Sequence, residues 1–394
     1  KDVVYSLNHH RGEKSTSPVK GYLDAVSSIE ATGDHEVTIK LTAPDVEFVW
    51  LLSAVHFAIT AENENFDKGI GTGAFILEKF QPGVTTLAKR NPNYWNSERG
   101  HVDSVETLAM NDSTARVAAL VSGSAQLINR VNPRIVSRIE RMPNLKLVRA
   151  KDSMIYTFPG LSNLAPFDNV DGRLALKYAI DRQKIIDTVL GGYASVANDN
   201  PIFPSNRYFA KDIPQRPYDP EKAQFHWKKS GFSGPLTLNV ADAGFPGAVD
   251  AGQIYQQSAA KAGINLNVVR VPDDAFWNDI WQKKAFVSSN WANRPTADAL
   301  LSLVFTSQSS WNESAWHVPE FDAMVKAARG EADEARRKQI YHDIQVMLVD
   351  QGSEIIPLYA DALDGCSAKI KGFTSVPGMP LRGNRAAGKV WIEG

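Results

Sequence analysis

Between Tyr218 and Trp291 the chain changes its hydrophobic period again and again, through YDPEKAQFHWKKSG, LTLNVAD, VDAGQIYQQSAAKAG, INLNVVRV, DDAFWNDIWQKK and AFVSSNW. The first, third and fifth segments read as amphipathic helices, and the others as short strands bounded by turn residues. Strand and helix alternating over connections of a few residues predict a parallel sheet covered by helices on both faces. The punctuation agrees. Asp219 can cap the first of these helices, Pro220 stands at the first helical position, and Gly231 lies just beyond the end.

The flanks read less regularly. DVVYSLNHH opens the chain as an amphipathic helix, and VTIKLTAP (Val37 to Pro44) alternates like a strand. Gly69, Gly71 and Gly73 precede the strand-like AFILEKF but lack the G-x-G-x-x-G spacing, and no helix follows to meet a phosphate; a tight loop is the better reading. NDSTARVAALVSG is a helix with Asn111, Asp112 and Ser113 as cap candidates and Gly123 as its stop. VDGRLALKYAIDRQKIIDTVLGG gives two helices broken near Asp181. PEFDAMVKAARG and EADEARRKQIYHDIQVMLVDQ add two more before the strand EIIPLYA. With no internal repeat and no low-complexity linker, domain borders fall within ordinary strands, which implies lobes joined by crossing chains.

At 394 residues the chain is long enough for two or three compact units. A formal charge of −1, with no block of like charge, gives no nucleic-acid footprint. No apolar run approaches the roughly 18 to 20 residues of a membrane span. Cys366 is the only cysteine, which excludes an internal disulfide and a Cys-based zinc site. His9 and His10 are adjacent, so on a helix they face about 100° apart and make a poor metal pair. No H-E-x-x-H, G-x-S-x-G or S-x-x-K motif stands in a suitable context, and Asp273 and Asp274 are explained as charges at a helix N-terminus. No enzyme activity, cofactor or metal is expected.

Seven stretches, in order, carry a resemblance: DVVYSLNHH, GIGTGAFILEKFQPG, KRNPNYWN, ARVAALVSGSAQLI, APFDNVDGRLALKYAIDRQKII, YDPEKAQFHWKKSGF and IIPLYADALD. Together they resemble the family 5 extracellular solute-binding proteins, the dipeptide, oligopeptide and nickel receptors of bacterial ABC importers. The resemblance implies an α/β, two-lobed, periplasmic-binding-protein-like fold (type II, cluster C) with an extra subdomain. It implies a periplasmic monomer that serves ABC permease membrane subunits. Carried onto this sequence, residues 1–85 are the remainder of the extra subdomain, 86–155 with 370–394 the first lobe, and 156–369 the second. The crossings fall near 156–160 and 357–361. The family carries about another hundred residues before the first helix, by its usual architecture, so the resemblance also implies an N-terminally incomplete chain whose signal peptide lies outside this sequence.

In peptide-binding relatives the strand ending in tryptophan is followed, three residues on, by an aspartate that pairs with the peptide's α-amino group. Here, in NWANRPT, Trp291 keeps the aromatic position and Arg294 replaces the aspartate. That reverses the charge. A guanidinium fork suits a carboxylate and repels an ammonium group. Trp291, Asn293 and Arg294 are therefore expected at the ligand, unless Asp298 simply pairs with Arg294. Trp311, Asn312 and Trp316 in SSWNESAW form a polar-aromatic loop expected to approach the same cleft, suited to stacking and hydrogen bonding. Tyr156, Phe158, Ser162 and Asn163 are candidates for its floor, with core packing as the alternative for the two rings. Gly71 and Thr72 are candidates for backbone donors at its rim, with a simple turn as the alternative. The expected cargo is a peptide or a peptide-like or opine-like solute with an anionic group. The rivals are a neutral oligosaccharide in the same family, a carbohydrate-active cleft enzyme, and a protein-binding adaptor.

Overall fold

In the computed structural model, which describes residues 1–62, 64 and 66–393, two long antiparallel strands carry the architecture. Leu145–Pro159 pairs with Glu354–Ser367 from Glu354↔Pro159 to Ser367↔Leu145. The second of these is buried almost throughout, as a central strand covered on both faces must be. Ser289–Ala292 pairs on the outer side of the first, while Leu127–Ile128 and Ala194–Val196 pair with the second.

The ladder shifts register twice, between Ile355 and Leu358 and, in its middle, between Ala360 and Ala362. Between Ala150↔Ala362 and Met154↔Ala360, residues 151–153 oppose Asp361 alone, and Asp152 takes a left-handed φ of 48°. Such a bulge bends a strand and increases its twist. Asp361 fills the gap by accepting from the Asp152 backbone N–H at 3.1 Å and from Arg149 Nε at 2.5 Å. The bulge also separates two cores. On one side Leu145 and Leu363 pack with Val117, Leu120 and Ile139; on the other, Tyr156, Phe158, Ile355 and Leu358 pack with Leu238, Tyr255 and Phe286.

The strand-helix alternation produces less parallel sheet than it predicts. Leu236–Val240 and Leu266–Arg270 are parallel and in register from Leu236↔Leu266, and a single bridge, Asn239↔Val287, extends them. The largest sheet is antiparallel because the crossing strands, not the alternating units, supply it. EIIPLYA is accordingly only the start of the strand that runs to Ser367. The helix expected from DDAFWNDIWQKK also differs. A short turn at Asp273–Ala275 passes into a π-helical turn at Phe276–Ile280 and stops at Trp281, whose indole is drawn inward to Glu313.

Local capping chemistry fixes several of the helices. Asp112 caps Ser113–Ser122, Asn169 caps Val170–Ala179, Asp181 caps Arg182–Val189 and Asp219 caps Pro220–Ser230, each by accepting a first-turn N–H. Gly123 and Gly231 end their helices at φ of 80° and 73°. The long helix Glu334–Gln351 is closed by another element: Lys177 Nζ donates to the Leu348 and Val349 carbonyls at 3.1 and 2.9 Å. Full burial pulls that ammonium down to about 7.

The N-terminal region is tied to the helices that follow Arg294. Val19, Tyr22 and Leu23 share a core with Leu300, Leu301, Val304 and Phe321. Tyr22 Oη donates to the Ala299 carbonyl at 2.6 Å. Phe75–Gln81, Thr85–Arg90 and Ser104–Leu108 form a separate three-stranded sheet whose first hairpin straddles residue 85. No described helix is long and apolar enough to cross a membrane.

Candidate functional site

Strand Ser289–Ala292 lies against residues 154–157, and Asn293 extends the pairing by donating its N–H to the Ser153 carbonyl at 2.8 Å. Two residues past Asn293, Pro295 turns the chain, and Thr296 Oγ1 accepts from the Ala299 N–H at 3.1 Å to cap helix Ala297–Val304. Arg294 is thus held between a strand end and a helix cap. Ligands of open α/β proteins commonly sit beyond such strand ends.

Two cavities meet at this residue. One, of about 300 Å³, is lined by Tyr156, Trp291 and Asp361 from the sheet, by Arg130, and by Arg294. The other, of about 380 Å³, is lined by Arg294 with His56, Ser205, Asn293, Arg382 and Arg385. Met379 lines both. Each is at the small end of the roughly 300–1,000 Å³ of ligand pockets.

Arg294 is half-buried at the junction, with its Nε atom fully buried. Its Nε has no hydrogen-bond partner, and among the described residues it forms no ion pair. Burial lowers its pKa from the ordinary value, partly opposed by Tyr22, yet a guanidinium stays charged at neutral pH. Asp298 is engaged elsewhere: it is fully buried, pairs with Arg329 at 3.2 Å and accepts from Ser302 Oγ at 3.0 Å. A buried donor without a partner is costly, and the cost is greater on a charged group. An anion in the cavity would relieve that cost.

The surrounding groups are polarised by the same cation. Burial and the Arg294 charge push the His56 imidazole down, so it stands neutral at the wall. Burial raises the Tyr156 hydroxyl to about 12 against the pull of Arg130, so it remains a protonated donor. Its ring stacks on Phe245 at 4.3 Å. Trp291 turns its Nε1–H away from the cavity to Glu313 Oε1 at 2.7 Å, leaving only ring surface for a ligand. Asp361 is raised by burial but held by the Asp152 N–H and Arg149.

The other sequence candidates stand apart from both cavities. Trp311 is half-buried and packs between Trp291 at 5.8 Å and His56 at 6.0 Å. Asn312 is buried, its Nδ2 donating to the carbonyls of Phe305, Thr306 and Trp316. Trp316 is buried against Phe321. Phe158 is in the core, Ser162 Oγ donates to the Ala315 carbonyl at 2.6 Å, and Asn163 is exposed. Gly71 and Thr72 are exposed in the N-terminal region, where Gly71 bridges Thr60. Conversely, Arg130, His56, Arg382 and Arg385 reach the cavities from segments that show no local binding signal in the sequence.

Polar contacts close one side of the cleft. Asn111 Nδ2 donates to Asp274 Oδ1 at 2.8 Å, Arg134 pairs with Asp250 at 2.9 Å, and Arg130 Nη2 reaches the Asp242 and Ala243 carbonyls at 3.4 Å. They join residues 111–134, which pack on one core, to residues 242–274, which pack on the other.

Comparison with known proteins agrees with this geometry. Heme-binding protein A of Haemophilus influenzae is 26% identical over 413 aligned residues, covering 95% of this chain and 74% of that protein. The structure of DppA from Helicobacter pylori in complex with the peptide STSA superposes with a TM-score of 0.88 at 20% identity, over 100% of this chain and 81% of that one. AgaA from A. tumefaciens R10, in complex with agropinic acid, gives a TM-score of 0.88 at 19% identity, over 100% and 83%. These structures share the two-lobed fold. The family model for bacterial extracellular solute-binding proteins, family 5 middle, matches residues 1–312, and the chain belongs to that family, whose members bind small solutes or peptides and work with ABC permeases.

Proposed function

We propose that this protein is a periplasmic, monomeric receptor of an ABC importer that captures a peptide-like or opine-like solute through an anionic group placed on Arg294. The observation that carries the reading is a half-buried arginine whose buried Nε has no hydrogen-bond partner and which forms no ion pair among the described residues, at the junction of two cavities. In relatives the cargo differs, being heme, a peptide and agropinic acid in the three compared above. The charge at this position is therefore a better guide here than any one relative. A guanidinium presents a planar fork of donors that fits a carboxylate edge to edge.

Capture works by population shift. The hinge is the bulge at residues 150–154 and 360–362, where the crossing strands leave one core for the other. Residues from both sides of it line the smaller cavity, so a ligand that touches both favours the closed form by its differential affinity. Nothing covalent is required, and the cargo leaves unchanged. A thermal-shift screen of peptides, opines and neutral oligosaccharides tests this. Stabilisation by anionic members, recovered intact, is the expected result. Stabilisation by neutral sugars alone, or chemical conversion of the solute, would overturn it.

A further inference from the structure

The two cavities differ in chemistry. The smaller one offers ring and apolar surface from Tyr156, Trp291, Met154 and Leu190, beside one further cation and one carboxylate, Arg130 and Asp361. The larger one is walled by Arg294, Arg382, Arg385 and His56, and none of the residues lining it is a carboxylate. We propose that the larger cavity is a second anion subsite, so that the cargo is a dicarboxylate: one acid group on Arg294, a second on Arg382 and Arg385, and its uncharged part in the smaller cavity. This rests on the assignment of Arg294 as a ligand-pairing cation.

The two further arginines are presented by a strap that is fastened at both ends. At Gly378 the strap lies at contact distance from Asn293, and its φ of 127° suits only glycine. Three residues on, the Leu381 N–H donates to the buried Asp364 carboxylate at 2.7 Å. Leu381, Arg382 and Asn384 all hold left-handed φ values of 52°, 57° and 60°. Non-glycine residues persist in that region only where the surroundings determine them. Arg382 Nη1 donates to Thr374 Oγ1 at 2.6 Å, which orients its guanidinium while leaving donors free for a ligand. Among the described residues, neither Arg382 nor Arg385 pairs with a carboxylate. Three like charges around a cavity of about 380 Å³ repel one another, and a single carboxylate on Arg294 offsets only one unit of that charge. A second acid group, shared by Arg382 and Arg385, offsets one unit more and relieves their mutual repulsion.

Matched pairs that differ by one charge test this by calorimetric titration: L-alanyl-L-glutamate against L-alanyl-L-glutamine, and glutarate against glutaramate. The diacid of a pair is expected to bind about tenfold or more tightly than its monoamide. The doubly substituted Arg382→Ala, Arg385→Ala protein should lose that advantage while its affinity for the monoamide is retained. Arg294→Ala should weaken both members. If diacid and monoamide bind equally while both depend on Arg294, the second subsite is overturned and the receptor reading stands. If Arg294→Ala leaves both affinities unchanged, the reading on which this rests falls as well. Absence of binding by every diacid at millimolar concentration would overturn the dicarboxylate class.

Discussion

Glu313, buried, and Arg294, half-buried, are two charged groups beside the same short strand, Ser289–Ala292, and their surroundings are opposite. The Glu313 carboxylate accepts from Trp291 Nε1 at 2.7 Å, Ser289 Oγ at 2.6 Å, Thr157 Oγ1 at 3.1 Å and the Trp281 indole. Burial raises its pKa, and those four donors pull it back. Arg294 has an orphaned Nε and faces two cavities. A saturated buried charge holds architecture together, whereas an unsaturated one that faces empty space is arranged for something that arrives. The comparison therefore predicts that removing Glu313 damages folding, and that removing Arg294 damages binding.

The largest effect falls on Glu313. Glu313→Ala strands two indole N–H groups and two hydroxyls, and should cost about 3–5 kcal/mol of folding stability, read by urea unfolding. A loss below about 1 kcal/mol would make the cluster ornamental and break the contrast. Arg294→Ala is expected to do the reverse: stability within about 1 kcal/mol of the parent, and ligand affinity lower by about 2–5 kcal/mol. Arg294→Lys keeps the charge without the fork and should fall between the two.

Asp364, which ties down the arginine-bearing strap, lies between those extremes. One oxygen accepts the Leu381 N–H and the other has no partner, and burial pushes the carboxyl up to about 7 from 3.8. Between those values the folded state binds more protons than the unfolded chain, so this group's contribution to stability falls as pH rises from about 4 to 7, and the loss is complete above 7. Asp364→Asn keeps an acceptor and removes the titration. At pH 8 it should exceed the parent in stability by on the order of 1–3 kcal/mol, with the difference shrinking toward pH 4; parallel pH profiles would exclude the effect. The smallest expected change comes from Arg134→Ala. Its pair with Asp250 is substantially exposed on both sides, so ligand affinity should fall by about fivefold at most, folding should hold, and high salt should erase the difference.

The sequence discloses these regions unequally. Asp112, Asp181 and Asp219 announce their helices because capping is settled within a few residues. The crossing strands are harder to read, since their bulge exists only in the register between segments far apart in the chain. Arg294 stands out only through the family resemblance, which leads one to expect an aspartate three residues past Trp291. The loop SSWNESAW shows the limit: tryptophans beside amides read as a ligand lip, yet Asn312 and Glu313 spend their polar atoms on their own surroundings. Residue type tells which interactions are open to a side chain. Whether it faces a cavity or the core is decided by tertiary packing, which also brings Arg130, Arg382 and Arg385 to the site.

Native mass spectrometry of the protein as purified, beside its Arg294→Ala variant, tests the central claim most directly. The parent should carry an acidic small molecule that is released intact on denaturation, and the variant, folded to the same degree, should be empty. An identical adduct on both proteins would show that residue 294 does not hold the cargo.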